Sequence, residues 1–107
     1  MQAKKSAPSK LHPYKIGEKY LISTVTTYEL GRLVDVTEHE LVIEQASWVA
    51  YTGRFGEAMK SGNLDEVEPY PEGPIIIGRG GIITAAVWGH DLPRKAGRSG
   101  RSARSTA

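Results

Sequence analysis

The most hydrophobic stretch of this chain, PIIIGRGGIITAAVW (74–88), is interrupted in its middle by Gly78-Arg79-Gly80-Gly81. Short apolar runs bounded by glycine or proline are typical of buried strands. The stretch therefore predicts two strands joined by a glycine-rich corner, or one long strand that turns through it.

The first half of the chain shows the same preference for strand. Residues 19–27 are rich in β-branched and aromatic side chains, residues 28–37 continue with apolar side chains in period two, and residues 40–50 form a third apolar run. Gly31 interrupts the second run, as glycine does where a strand bends sharply. These segments predict an antiparallel meander of three strands with a bend near Gly31.

A short helix is predicted over residues 52–62. Phe55 and Met59 are four residues apart, which places them on one face of a helix. Thr52 is a residue type that caps the start of a helix, and Gly62 is the type that ends one.

The segment NLDEVEPYPEGP (63–74) shows neither a helical nor an extended period. It is rich in acidic residues and proline, and it predicts a loop. The chain as a whole is thus predicted to be mainly β. Five short strands with glycine corners in roughly 80 residues are typical of a small closed or nearly closed barrel.

Charge is segregated along the chain. Residues 1–12 and 94–107 contain basic residues and no acidic residue, whereas residues 13–93 contain all 12 acidic residues and only six basic ones. The basic residues of the two ends are Lys4, Lys5, Lys10, Arg94, Lys95, Arg98, Arg101 and Arg104. Neither end has enough apolar residues to offset the entropy of ordering it. We therefore expect one acidic domain (13–93) flanked by two basic arms that are disordered unless a partner holds them.

Two segments carry a family resemblance. Residues 75–82, IIIGRGGI, resemble the second signature of Sm-like (Hfq-type) small barrels, in which an apolar strand runs into Arg-Gly and then into an isoleucine. The segment LGRLVDVTEHELVIEQA (30–46) is similar to the first signature, with Gly31 at the bend followed by Leu33 and Asp35.

The resemblance implies a five-stranded Sm-like or SH3-like barrel, with the helix and acidic loop of residues 52–74 inserted before the last two strands. Arg79-Gly80-Gly81 would form the structural turn between those strands, with positive φ angles at its glycines, because glycine tolerates left-handed backbone conformations that other residues avoid. The strand that follows the turn would be the edge that pairs with a neighbouring subunit. The residues expected at this subunit interface are Ile82, Thr84, Ala86 and Trp88, together with the large aromatic residues Trp48 and Tyr51.

Few residues carry a signal for catalysis or cofactor binding. The chain has no cysteine, so it has neither a disulfide nor a thiolate metal site. His90 is followed by Asp91, but adjacent residues on a strand point to opposite faces, and His39 lies in a polar turn. The glycine-rich corner precedes a strand, whereas a phosphate-binding loop precedes a helix. We therefore predict a protein that is not an enzyme and has no metal or cofactor, and no apolar run is long enough to span a membrane.

Two functions from different classes follow. The body from Pro13 to Pro93 also looks like small uncharacterised proteins of tailed bacteriophages, which implies a structural role in the virion as a capsid decoration or connector component. Its partners would be copies of itself and assembly proteins with acidic surfaces. The alternative is an Sm/Hfq-like oligomeric RNA-binding protein of the cytoplasm that uses its basic arms. The lysine-histidine element with which Hfq binds uridine-rich RNA has no match here, because the turn is followed by Ile82-Ile83.

Overall fold

The computed structural model of the chain describes residues 12–99. In chain order its elements are β1 (Lys19–Thr24), β2 (Tyr28–Val36), β3 (Glu40–Tyr51), α1 (Phe55–Ser61), β4 (Leu64–Pro69), β5 (Ile75–Gly78), a 3₁₀ turn (Arg79–Gly81), β6 (Ile82–Val87) and β7 (Gly97–Ser99). The predicted mainly β class is confirmed, and so are the three strands of the first half.

All strand pairs are antiparallel and belong to one unclosed sheet, with the order β6-β1-β2-β3-β4-β7 and with β5 also paired to β3. Strand β3 therefore has two neighbours along one of its edges. Its residues 40–43 pair with β5, and its residues 47–51 pair with β4. Gln45 lies between these two halves and has a φ of 53°, which marks a bulge where β3 changes partner.

The bend predicted at Gly31 lies opposite this bulge. The register between β2 and β3 shifts between Leu30 and Arg32, on either side of the glycine. A Cβ atom at Gly31 would lie 3.0 Å from Cδ1 of Ile43 and 3.1 Å from the carbonyl oxygen of Glu44. These contacts are tighter than most Cβ contacts, so a side chain here would require Ile43 or the backbone of Glu44 to shift by a few tenths of an ångström, which favours glycine.

The sheet is buried on both faces. Strand β1 shows this directly, because Tyr20 and Ile22 point into one core and Leu21 into the other. The first core contains Tyr20, Ile22, Leu33, Leu41, Ile43, Ala46 and Ile77. The second core contains Leu21, Leu30, Val49, Ala58, Leu64, Val67 and Trp88. Helix α1 and strand β4 cover the second face, so the segment inserted between the two halves of the sheet supplies part of the core.

The predicted loop over residues 63–74 is wrong for Leu64–Pro69, which form β4. Leu64 and Val67 are both buried although they are three residues apart, because the pairing with β7 changes register between them. A bulge of this kind removes the period-two signal from the sequence.

The helix prediction is confirmed at its end and wrong at its start. Gly62 ends α1 in the left-handed conformation with a φ of 83°, and its N–H donates to the carbonyl oxygen of Ala58. Thr52 does not cap the start, since α1 follows Arg54 and has no side-chain cap. The Thr52 hydroxyl instead donates to the carbonyl oxygen of Gly53.

The glycine-rich corner is a turn between β5 and β6, but the predicted positive φ angles are wrong. No glycine from Gly78 to Gly81 has a positive φ, because the corner is a 3₁₀ turn. A Cβ atom at Gly80 or Gly81 would meet no atom within 4 Å. Arg79 holds the corner in place, since its guanidinium donates to the carbonyl oxygens of Thr37 and Glu38 at 2.6 and 3.2 Å.

Two glycine substitutions should therefore differ in their effects on stability. We expect Gly62→Ala to lower the free energy of unfolding by about 1–3 kcal/mol, because alanine is strained at a positive φ. Its Cβ would also lie 2.6 Å from Cγ of His90. Gly80→Ala has neither problem and should change the stability little. Urea denaturation followed by tryptophan fluorescence measures both, and equal losses in the two variants would contradict this assignment.

Candidate protein-interaction site

The four interface residues predicted on and after β6 differ in exposure. Thr84 is exposed, Ile82 and Ala86 are half-buried, and Ile82 packs against the first core. Trp88 is only 1% exposed and lies in the second core. Its indole N–H donates to the carbonyl oxygen of Asp91 at 3.2 Å. Trp88 is therefore a core residue and does not offer a surface to a neighbouring subunit.

The exposed large apolar side chains of β6 are those of Ile83 and Val87, which were not among the predicted interface residues. Ile83 is 65% exposed and Val87 is 55% exposed. Ser23 pairs with Thr84 and Thr24 pairs with Ile82, so Ile83 is an extra residue without a partner in β1. A period-two pattern along an unbroken strand does not predict the exposure of Ile83, because the bulge changes the face to which the side chains point.

Strands β5 and β6 lie at sheet edges on either side of the 3₁₀ turn. Within residues 12–99, β5 pairs only with β3 and β6 pairs only with β1. Neither strand contains a charged residue or a proline, and Ile76 of β5 is exposed like Ile83 and Val87 of β6. Each strand thus presents an unpaired backbone edge together with apolar side chains.

The third surface feature is a groove of about 470 Å³ beside Trp48. Trp48 is 37% exposed and pairs with Glu29 of β2 on one side and with Glu68 of β4 on the other. Directly paired residues point to the same face of a sheet. Trp48 therefore lies between two glutamates on one face of the sheet, and Pro69 and Tyr70 complete the wall of the groove.

A hydrogen bond fixes one side of this groove. The Tyr70 hydroxyl donates to Oε1 of Glu29 at 2.8 Å, and the Thr27 hydroxyl donates to Oε2 at 3.4 Å. Burial raises the pKa of Glu29, against the opposing effect of these two hydrogen bonds. Burial, together with the bond to Glu29, raises the pKa of Tyr70 to about 12.

The structure describes only some of the remaining predicted contact residues. Tyr51 is exposed and pairs with Glu66. Arg94, Lys95 and Arg98 lie in the last described segment, where Gly97–Ser99 pairs with β4 as β7, so the sheet extends beyond Pro93. The predicted arm contacts Lys4, Lys5, Lys10, Arg101 and Arg104 lie outside the described residues.

The histidines make local contacts. Nε2 of His39 lies 3.9 Å from a carboxylate oxygen of Glu38 on the surface. Nε2 of His90 donates to the carbonyl oxygen of Met59 at 2.8 Å. In the part of the chain that the structure describes, no group of three or more His, Asp or Glu side chains could hold a metal ion, and no helix is long and apolar enough to cross a membrane.

Comparison with protein-family models, with curated proteins and with solved structures gives no match to this chain.

The burial of Tyr70, together with its bond to Glu29, predicts a pH dependence that Tyr70→Phe removes. The pKa of Tyr70 rises from 10.0 to about 12 on folding, so its contribution to stability is complete below pH 10 and is lost as the pH rises to about 12. Between pH 10 and about pH 12, we expect the free energy of unfolding of the wild type to fall relative to that of the Tyr70→Phe variant. Urea denaturation of both proteins at a series of pH values measures it. A difference between the two proteins that does not change with pH would contradict the raised pKa.

Proposed function

We propose that this chain is a non-enzymatic structural protein that assembles with copies of itself through the edges of β5 and β6. The observation that carries the proposal is that, within residues 12–99, these edges lack the features that usually protect an edge strand. Natural edge strands are usually blunted by lysine, by proline or by a covering segment, because an unpaired edge recruits another strand. Neither IIIG of β5 nor IITAAV of β6 has a charged residue or a proline, and both expose large apolar side chains.

The proposed architecture is a small Sm-like or SH3-like barrel with an insertion. Without β4 and β7, the five remaining strands follow the order β6-β1-β2-β3-β5. The two end strands of this order are consecutive in the chain and are joined by the tight turn at Arg79. This strand order is compatible with a sheet that curls until its two end strands, β5 and β6, approach each other. Pairing of β5 in one copy with β6 in the next is a head-to-tail contact, which produces a ring when the rotation closes.

The resemblance to small proteins of tailed bacteriophages extends the proposal to a place in the virion, as a capsid decoration or connector component. Such components are repeated around a symmetric particle, so each copy needs a surface that contacts the next copy. Edges on opposite ends of one sheet meet this need, since they can be used at the same time. The basic residues at both chain ends add a charge that complements acidic neighbours.

A second candidate is RNA binding, which a basic groove favours. Lys19, Arg32 and Arg94 line a cavity of about 880 Å³. Two of these side chains already form hydrogen bonds within the chain. Lys19 donates to the carbonyl oxygen of His90, and Arg32 donates to the carbonyl oxygen of Gly17. Acidic side chains also line the cavity. The assembly role therefore has the stronger support.

Lysines on the edge test the proposal. In the double variant Ile83→Lys with Val87→Lys, we expect the oligomer to dissociate, because two charges at the edge oppose strand pairing. The matched control is Val25→Lys, which makes the same kind of change at a side chain that is 78% exposed in the turn between β1 and β2. Light scattering at moderate salt gives the mass of each protein. The control should keep the mass of the wild type.

A wild type that stays monomeric at high concentration contradicts self-assembly, and so does an edge variant with the mass of the wild-type oligomer. The ultraviolet absorbance ratio of the purified protein shows whether nucleic acid accompanies it. An oligomer that always carries RNA would favour the second candidate.

A further inference from the structure

The groove beside Trp48 combines an exposed indole with two carboxylates that form no ion pair within residues 12–99. Glu29, Trp48 and Glu68 form one row across β2, β3 and β4. Cα atoms of paired residues on neighbouring strands are about 5 Å apart, so the Cα atoms of the two glutamates are separated by about 10 Å. Among residues 12–99, neither carboxylate forms an ion pair, and the Glu68 carboxylate has no hydrogen-bond partner.

This arrangement suits a guanidinium group. A planar cation is attracted to the face of an indole, and it donates paired hydrogen bonds to a carboxylate. Pro69, Tyr70 and Pro71 line the same groove and supply apolar surface for the alkyl part of a long side chain. Lysine offers the charge without the planar fork, so the chemistry favours arginine.

The chain itself supplies such side chains in Arg101 and Arg104, in a segment without acidic residues. Strand β7 runs antiparallel to β4, with Gly97 opposite Val67 and Ser99 opposite Leu64. Ser99, the last described residue, therefore lies beside Leu64, at the opposite end of β4 from Glu68. In the proposed assembly every copy carries the same groove, so the groove of a neighbouring copy is available to this segment.

We propose that the groove formed by Glu29, Trp48, Glu68 and Tyr70 binds an arginine from residues 100–107 of a neighbouring copy. This inference rests on the proposed self-assembly and names the contact made by the C-terminal basic arm. The arm then links adjacent copies in addition to the strand edges, and the contact weakens as salt rises because charge attraction contributes to it.

A peptide titration tests the contact. The receptor is the full chain with Arg101→Gln and Arg104→Gln, so that its own arm does not compete, and the probe is the peptide GRSARSTA, residues 100–107. Isothermal titration calorimetry at low salt should show binding. Adding Glu68→Gln or Trp48→Leu to the receptor should each weaken the affinity roughly three- to fivefold.

Two controls make the test specific to the groove. Glu57→Gln removes the same charge from helix α1 and should leave the affinity unchanged, which separates a local contact from net charge. Urea denaturation of the Trp48→Leu receptor confirms that it is folded, and Glu68→Gln gives an independent measure. The peptide with both arginines replaced by glutamine should not bind.

The absence of binding overturns the proposal, as does binding that Glu68→Gln and Trp48→Leu leave unchanged. Arginine-dependent binding of oligouridylate by the wild type, with no binding of the peptide, would assign the arm to nucleic acid and overturn it as well. Light scattering of the receptor separates this result from the failure of the proposed function. If the receptor still associates through β5 and β6, only the groove assignment fails.

Discussion

The close contact between β2 and β3 at Gly31 is the constraint on which the rest of the fold depends. A Cβ at this position would make unusually tight contacts with Ile43 and with the backbone of Glu44, and the bulge at Gln45 lies directly opposite. Together these features let β3 bend and pair with β5 before the bulge and with β4 after it. The inserted segment thereby enters the sheet beside the second half of β3.

This geometry produces two hydrophobic cores, one on each face of the sheet. The first lies among β1, β2, β3 and β5 and includes buried residues from each of them. The second exists because the inserted helix and β4 cover the other face, with Trp88 and Ala58 among its buried residues. The insertion thus completes the fold and also brings Glu68 beside Trp48. The edges of β5 and β6 remain uncovered within the described residues, which is why we place self-association there.

Local signals in the sequence predicted the first three strands, the helix and its end at Gly62, and the turn at Arg79. They succeeded because each depends on residues close together in the chain. The sequence did not predict β4 or the exposure of Ile83, because bulges break the period-two pattern in both places. It predicted positive φ at a corner that is a 3₁₀ turn, since glycine content does not distinguish the two conformations. The groove required pairing across three strands, and no local pattern reports that Glu29, Trp48 and Glu68 are neighbours.

Amide hydrogen exchange at increasing protein concentration tests the central claim most directly, because it reports on individual backbone N–H groups of the two edges. We predict that N–H groups of β5 and β6 without a partner inside the chain become protected as the protein associates. N–H groups in the exposed turn between β1 and β2 should exchange at a constant rate. Protection that does not change with concentration in β5 and β6, in a sample whose mass shows association, would contradict assembly through these edges.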